Sequence, residues 1–175
     1  MSKPYVIWLT GLPSAGKTTI AQLLGKLLSK QGIPTVAIDG DEFRKSLCAD
    51  LGYSIADRQE NIRRAAQMAR LVVQSNVTAI CSFISPTIQI REQARNIIDP
   101  NRFIEVYIST PLNICVQRDV KGLYQKASDG LIKNLTGIDS PYEAPLNADC
   151  IINTYGKTPE ESTKQLLNCI TQKFY

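Results

Sequence analysis

Eight residues near the N-terminus, Gly11-Leu12-Pro13-Ser14-Ala15-Gly16-Lys17-Thr18, match the phosphate-loop pattern of two glycines, lysine and a hydroxyl residue in full. The pattern constrains the fold because it works only between a strand and a helix. Backbone N–H groups of the tight loop and the helix N-terminus must converge on phosphate oxygens. Apolar residues 5–9 supply the strand. Residues 17–30 supply the helix, with Ile20, Leu23, Leu24, Leu27 and Leu28 at helical spacing and Gln31-Gly32 ending it near Pro34. Lys17 adds a point charge, and the Thr18 hydroxyl suits Mg²⁺ beside the phosphates of ATP. Pro13 lacks an N–H and holds Leu12 extended, but the later amides remain. An ordinary glycine turn would not account for the lysine, the hydroxyl and both flanking elements together.

The rest of the chain continues the same alternation. Apolar runs at 35–38, 77–82, 103–108 and 150–152 read as strands, and helical periodicity appears at 57–74, 88–98, 112–119 and 159–172. In 57–74 the stripe is Ile62, Ala65, Ala66, Ala69 and Val73. This order predicts an α/β, P-loop NTPase fold: a five-stranded, mostly parallel sheet with helices on both faces. The chain length of 175 residues fits one kinase domain, 1–175. Residues 120–147 differ in texture, carrying Gly122, Gly130, Gly137, Pro141 and Pro145 with Lys121, Lys126 and Lys133. Such a stretch inside a compact domain reads as a lid, mobile when empty and ordered over ligands.

Composition excludes several classes. With 43% hydrophobic and 21% charged residues the chain is neither disordered nor fibrous. Its net charge of +4 is dispersed, which suits small anionic substrates and not nucleic acid. The apolar run at 5–9 is too short for a membrane span or a signal peptide, so a cytoplasmic protein is expected. Cys48, Cys81, Cys115, Cys150 and Cys169 lie far apart, with no histidine to complete a mixed zinc site. They read as buried, reduced thiols.

Two carboxylates, Asp39 and Asp41, follow the second predicted strand and therefore stand at the same sheet edge as the phosphate loop. No aspartate ends the strand at 77–82, so one of these two must orient the metal. A plain Asp-Gly-Asp turn capping a helix that starts near Glu42 is the alternative. Arg44 lies one turn beyond Asp41, while Arg58, Asn61, Arg63 and Arg64 cluster at the start of the next helix. Arginine forks suit phosphate or sulfate, although the alternation with Glu60 equally suits a solvated helix face.

Taken together these stretches resemble the APS (adenylylsulfate) kinases. The resemblance runs through Gly11 to Thr19, Asp39-Gly-Asp-Glu-Phe-Arg44, Leu51-Gly-Tyr-Ser54 with Asp57 to Arg64, and Phe83-Ile-Ser-Pro86. It continues in Lys121-Gly-Leu-Tyr124 and in residues 133–145. It implies phosphorylation of the 3′-hydroxyl of adenosine 5′-phosphosulfate (APS) by ATP with Mg²⁺, in sulfate assimilation, by a homodimer. ATP contacts are implied for Gly11 to Thr19 and Arg118, with Thr18 and Asp39 in the metal shell and Asp41 on the attacking hydroxyl. APS contacts are implied for Asp41, Arg44, Tyr53, Arg58, Asn61, Ile84, Ser85, Lys121, Asn134 and Leu135. Leu135 stands where the family commonly has phenylalanine, and offers an apolar face without a ring. Thr87 and Val120 replace residues that are often tyrosine and proline.

Lys17, Asp39, Asp41 and Ser85 are thus the catalytic candidates. Ser85 has two readings, a phosphoserine intermediate or an APS-binding hydroxyl, and the second is preferred because phosphate-loop kinases need little covalent work by the protein. Other small-molecule P-loop kinases, and a nucleotide-binding regulator without catalysis, are the rival classes.

Overall fold

The computed structural model describes residues 3–174. Five strands form one sheet: β1 (Val6–Thr10), β2 (Thr35–Asp39), β3 (Thr78–Ser82), β4 (Phe103–Ile108) and β5 (Cys150–Ile152). Their spatial order is β2-β3-β1-β4-β5, and every neighbouring pair is parallel. Parallel pairing requires crossovers. These carry α1 (Lys17–Lys30), α2 (Gly40–Lys45), α3 (Ile55–Gln74), α4 (Ile88–Ile98), α5 (Leu112–Arg118) and α6 (Leu123–Ser128), and α7 (Pro159–Phe174) follows β5.

β1 is buried along its whole length because it lies mid-sheet and serves two cores. Ile7 and Leu9 pack with Leu24 and Leu28 of α1 and Leu166 and Ile170 of α7. Val6 and Trp8 point the other way, joining Ile62 and Ala66 of α3 and Ile90 and Ala94 of α4. The predicted five-stranded sheet with helices on both faces is what the chain forms. Among the described residues no helix is long and apolar enough to cross a membrane.

The boundaries that differ do so for local reasons. Helix α3 starts at Ile55, not at 57, because Ser54 and Asp57 form a capping box. The Ser54 hydroxyl accepts from Asp57 N at 3.1 Å, and the Asp57 carboxylate accepts from Ser54 N at 3.1 Å. Helix α6 lies inside the glycine-rich segment, where no helix was expected. Left-handed Gly122 precedes it, and the Asp119 carboxylate accepts from Tyr124 N and Gln125 N at 3.1 and 2.9 Å.

The expectation of five reduced thiols is corrected. Cys48, Cys81 and Cys115 are buried and free, but Cys150 and Cys169 form a disulfide. α7 docks beside edge strand β5, bringing the two Cα atoms to 6.2 Å, within reach of a bridge. Sequence spacing carries no sign of this pairing, because helix docking creates it.

Candidate active site

The loops leaving β1, β2 and β3 converge at the carboxyl edge of the sheet. After β1, Gly11 adopts φ 149°, and a Cβ there would stand 2.6 Å from the Ile108 carbonyl oxygen, so the loop can turn here only without a side chain. Lys17, 8% exposed, donates through Nζ to the Gly11 and Leu12 carbonyls at 2.8 and 2.7 Å. Burial lowers its pKa to about 8, and the nearby Asp41 and Asp39 charges only partly oppose that. Thr19 is exposed on the first turn of α1.

Two threonines that the sequence did not single out brace the loop from behind. The Thr110 hydroxyl donates to the Ala15 carbonyl at 2.9 Å and accepts from the Thr154 hydroxyl at 2.6 Å, with Thr154 Oγ1 itself 3.3 Å from that carbonyl. Arg118 reaches the same bracket, donating to Thr154 Oγ1 and O at 2.8 and 3.1 Å. Their common position just past β4 and β5 is the only sequence signal for them.

At the end of β2, Asp39 holds three elements together. Its Oδ2 accepts from the Thr18 hydroxyl at 2.7 Å and the Ser82 hydroxyl at 2.8 Å, and its Oδ1 accepts from Asp41 N at 3.0 Å. The capping reading and the metal-shell reading are therefore compatible at this residue, since one oxygen caps α2 while the other faces Thr18. Burial works to raise the Asp39 pKa, but the Thr18, Ser82 and backbone hydrogen bonds outweigh it and hold the carboxyl below its usual value. Asp41 is half-exposed and pairs with Lys121, reaching across from residues 120–147.

The arginine cluster divides. Arg63 and Arg64 lie on the solvated face, Arg63 bound to Glu60 at 2.6 Å and Arg64 to Glu60 and Asp50 at 2.9 and 2.7 Å. Arg58 and Asn61 turn inward and are 8% and 4% exposed. Arg58 donates to the Tyr53 and Asn134 carbonyls at 3.1 and 2.7 Å, while the buried Nδ2 of Asn61 has no hydrogen-bond partner. A buried amide donor without a partner is costly, and a ligand acceptor would satisfy it. Arg44 lies over the Tyr53 ring at 4.7 Å and donates to Gly52 O at 2.7 Å. Tyr53 itself is exposed, whereas Leu135 is buried in the core shared with α1 and α7.

After β3, Ser85 is buried at φ 39°, and its Oγ accepts from Trp8 Nε1 at 3.1 Å. The Ile84 carbonyl accepts from Thr10 Oγ1 at 2.7 Å. The same Thr10 hydroxyl bonds Tyr142 OH at 3.1 Å, tying down residues 120–147 a second time. Further ties come from Tyr124 OH to Pro13 O at 3.1 Å and Glu143 N to Pro86 O at 2.8 Å.

Comparison with known proteins shows the family. The family described as adenylylsulphate kinase matches residues 3–153. An adenylyl-sulfate kinase of Thermodesulfovibrio yellowstonii is 47% identical over 98% of this chain and 86% of its own length. One from Shewanella sp. strain ANA-3 is 46% identical over 96% of this chain and 82% of its own. The solved structure of the Mycobacterium tuberculosis APS kinase CysC in complex with AMPPNP and APS superposes with a TM-score of 0.93 at 37% identity. It covers 98% of this chain and 99% of that one. The chain belongs to the adenylylsulphate kinase family.

Proposed function

We propose that this chain transfers the γ-phosphoryl group of ATP to the 3′-hydroxyl of APS, giving 3′-phosphoadenosine 5′-phosphosulfate and ADP, as the enzyme adenylyl-sulfate kinase. The observation that carries the reading is the meeting, at one sheet edge, of a phosphate loop, a pinned and an open carboxylate, and the buried Arg58–Asn61 pair.

The N–H groups of the loop after Pro13 cradle the β- and γ-phosphates, with Lys17 exchanging its loop carbonyls for phosphate oxygens. Thr18 and Asp39 present hard oxygens 2.7 Å apart, a fit for Mg²⁺, which when bound would neutralise charge on the phosphate oxygens. Arg44, Arg58 and Asn61 hold APS, with Tyr53, Ile84, Ser85 and Asn134 shaping its pocket, while Leu135 packs into the core and offers the adenine no open face here. Asp41 accepts the proton of the 3′-hydroxyl as its oxygen bonds the γ-phosphorus and the bond to the β,γ-bridging oxygen breaks. Lys121 balances the charge that develops, and residues 120–147 act as the lid that excludes water. Arg118 supports the nucleotide side through Thr154.

Direct transfer is preferred over a phosphoserine at Ser85. The partner of Ser85 Oγ is the Trp8 indole, a donor and not a base, so the hydroxyl lacks activation as a nucleophile. The whole chain acts as one kinase domain, as a homodimer in the cytoplasm, on a small-molecule substrate without nucleic acid or membrane.

A coupled assay of ADP release tests this reading with APS, nucleoside monophosphates, shikimate and gluconate as acceptors. Release with APS alone is expected. Turnover of another acceptor would place the chain among other small-molecule kinases, and no release with any would favour a regulatory nucleotide binder.

A further inference from the structure

A buried ion pair stands behind the APS side of the site. Arg91 of α4 is 3% exposed, and each of its three nitrogens has a different acceptor. Nε donates to Glu105 Oε1 at 2.8 Å, Nη1 to the Ser85 carbonyl at 2.8 Å and Nη2 to the Glu143 carbonyl at 2.8 Å. The guanidinium thus joins the segment after β3 to the far end of the lid, and it also lies over the Tyr142 ring at 5.9 Å.

Glu105 belongs to β4, where an otherwise apolar strand carries one carboxylate on its buried α4-facing side. Its register partner on β1 is Trp8, whose indole holds Ser85 Oγ. Neighbouring positions on two strands therefore grip the same serine, Trp8 directly and Glu105 through Arg91. Ser85 is held at a left-handed φ of 39°, a conformation that persists in a non-glycine residue only where its surroundings over-determine it. Removing the fork would release both Ser85 and residue 143 from it. A guanidinium suits this task because its planar donors are fixed relative to one another, which an ammonium cannot reproduce.

We propose that Arg91, oriented by Glu105, is a positioning residue that sets the Ser85 hydroxyl and the lid return at residues 142–143 for the acceptor, without touching the reacting atoms. This rests on the reading of Ser85 as part of the APS pocket. Trp8 is the only tryptophan in the chain, so its indole N–H resonance reports the Ser85 loop directly.

The test uses the full chain with Arg91→Lys and with the paired Arg91→Met/Glu105→Leu variant. Apolar replacement of both partners avoids leaving one charge buried alone, since Arg95, which also meets Glu105 at 3.5 Å, keeps Asp149 at 3.4 Å, and such replacements often preserve folding. Melting temperature, the indole ¹⁵N–¹H resonance, and KM for APS and for ATP are measured on each. The expected result is a displaced indole resonance and an APS KM raised about fivefold or more, with the ATP KM within about twofold, since the lost positioning concerns the acceptor side. Arg91→Lys should fall between wild type and the paired variant.

An unmoved indole resonance with wild-type APS KM would overturn the proposal. So would equal losses toward both substrates in step with a lowered melting temperature, which would make the pair merely structural. If the paired variant does not fold, Arg91→Lys alone decides between these outcomes. If the wild-type protein fails to use APS, the function reading falls, while the indole resonance still decides whether Arg91 fixes Ser85.

Discussion

Lys17 shows how burial tunes a binding residue. Its pKa of about 8 lies below the ordinary 10.5, so between those values the empty protein has lost much of the ammonium charge. A bound polyphosphate favours the charged form and restores the proton. Mg-ATP binding above pH 8 should therefore take up protons, and its affinity should weaken with rising pH, approaching about tenfold per unit. Titration calorimetry in buffers of different ionisation enthalpy reads this directly, and buffer-independent heats would refute it. The two aspartates give a second contrast. Asp39 accepts from Thr18, Ser82 and Asp41 N, whereas among the described residues the Asp41 carboxylate accepts a hydrogen bond only from Lys121. Asp41→Asn should lower kcat by about 10² to 10⁴ with little change in KM, the range for losing a positioned acid–base group. Asp39→Asn should instead weaken the response to Mg²⁺, shifting the metal dependence of turnover to higher concentration. A normal kcat for Asp41→Asn would reverse the two roles. At this scale the residues alone named both carboxylates and only the resemblance divided them, because the physical contrast lies in three hydrogen bonds that reach Asp39 from α1, β3 and α2.

Among the elements, residues 120–147 depart most from their sequence reading. Glycines and lysines suggested a segment mobile when empty and ordered over ligands, yet in this structure α6 buries Tyr124, and Leu135 and Thr136 are buried as well. Val120, Leu131 and Leu146 remain 78%, 71% and 83% exposed, so anchored and loose stretches alternate. Gly137 follows the buried pair closely against the phosphate loop, and a Cβ there would stand 2.7 Å from Leu12 Cδ2. Limited trypsin digestion of the unliganded protein should cut after the exposed Lys126 and Lys133, while residues 134–143 stay docked through Arg58, Thr10 and Pro86. Mg-ADP with APS should suppress those cuts, since ordering a loose chain costs about 1 to 2 kcal/mol per residue and ligand contacts must supply it. Equal cleavage in both states would make the segment a fixed wall. The anchors were illegible beforehand because Tyr124, Asn134 and Tyr142 find partners 111, 76 and 132 residues away.

For the whole molecule, the Cys150–Cys169 bridge ties the last strand to the last helix. Closing a loop of 19 residues contributes about 3 kcal/mol in the chain-entropy account, so reduction should lower the melting temperature by several degrees. Thiol counting in denaturant should give three groups without reductant and five with it. Five groups in both conditions would remove the bridge and restore the reduced-thiol expectation. The sheet, its helices and the phosphate loop were legible in the chain because each rests on local periodicity or on a contiguous motif. The resemblance also carried most candidate site residues, since its motifs are contiguous too. What tertiary structure alone decided lies in contacts between distant segments. It turned Arg58 inward while leaving Arg63 and Arg64 to Glu60 and Asp50, made Ser82 a partner of Asp39, braced the loop with Thr110 and Thr154, and set Arg91 against Glu105. The physical reason is that periodicity fixes which face a residue occupies, while hydrogen-bond partners depend on strand order, which brings β2 beside β3 and β4 beside β1.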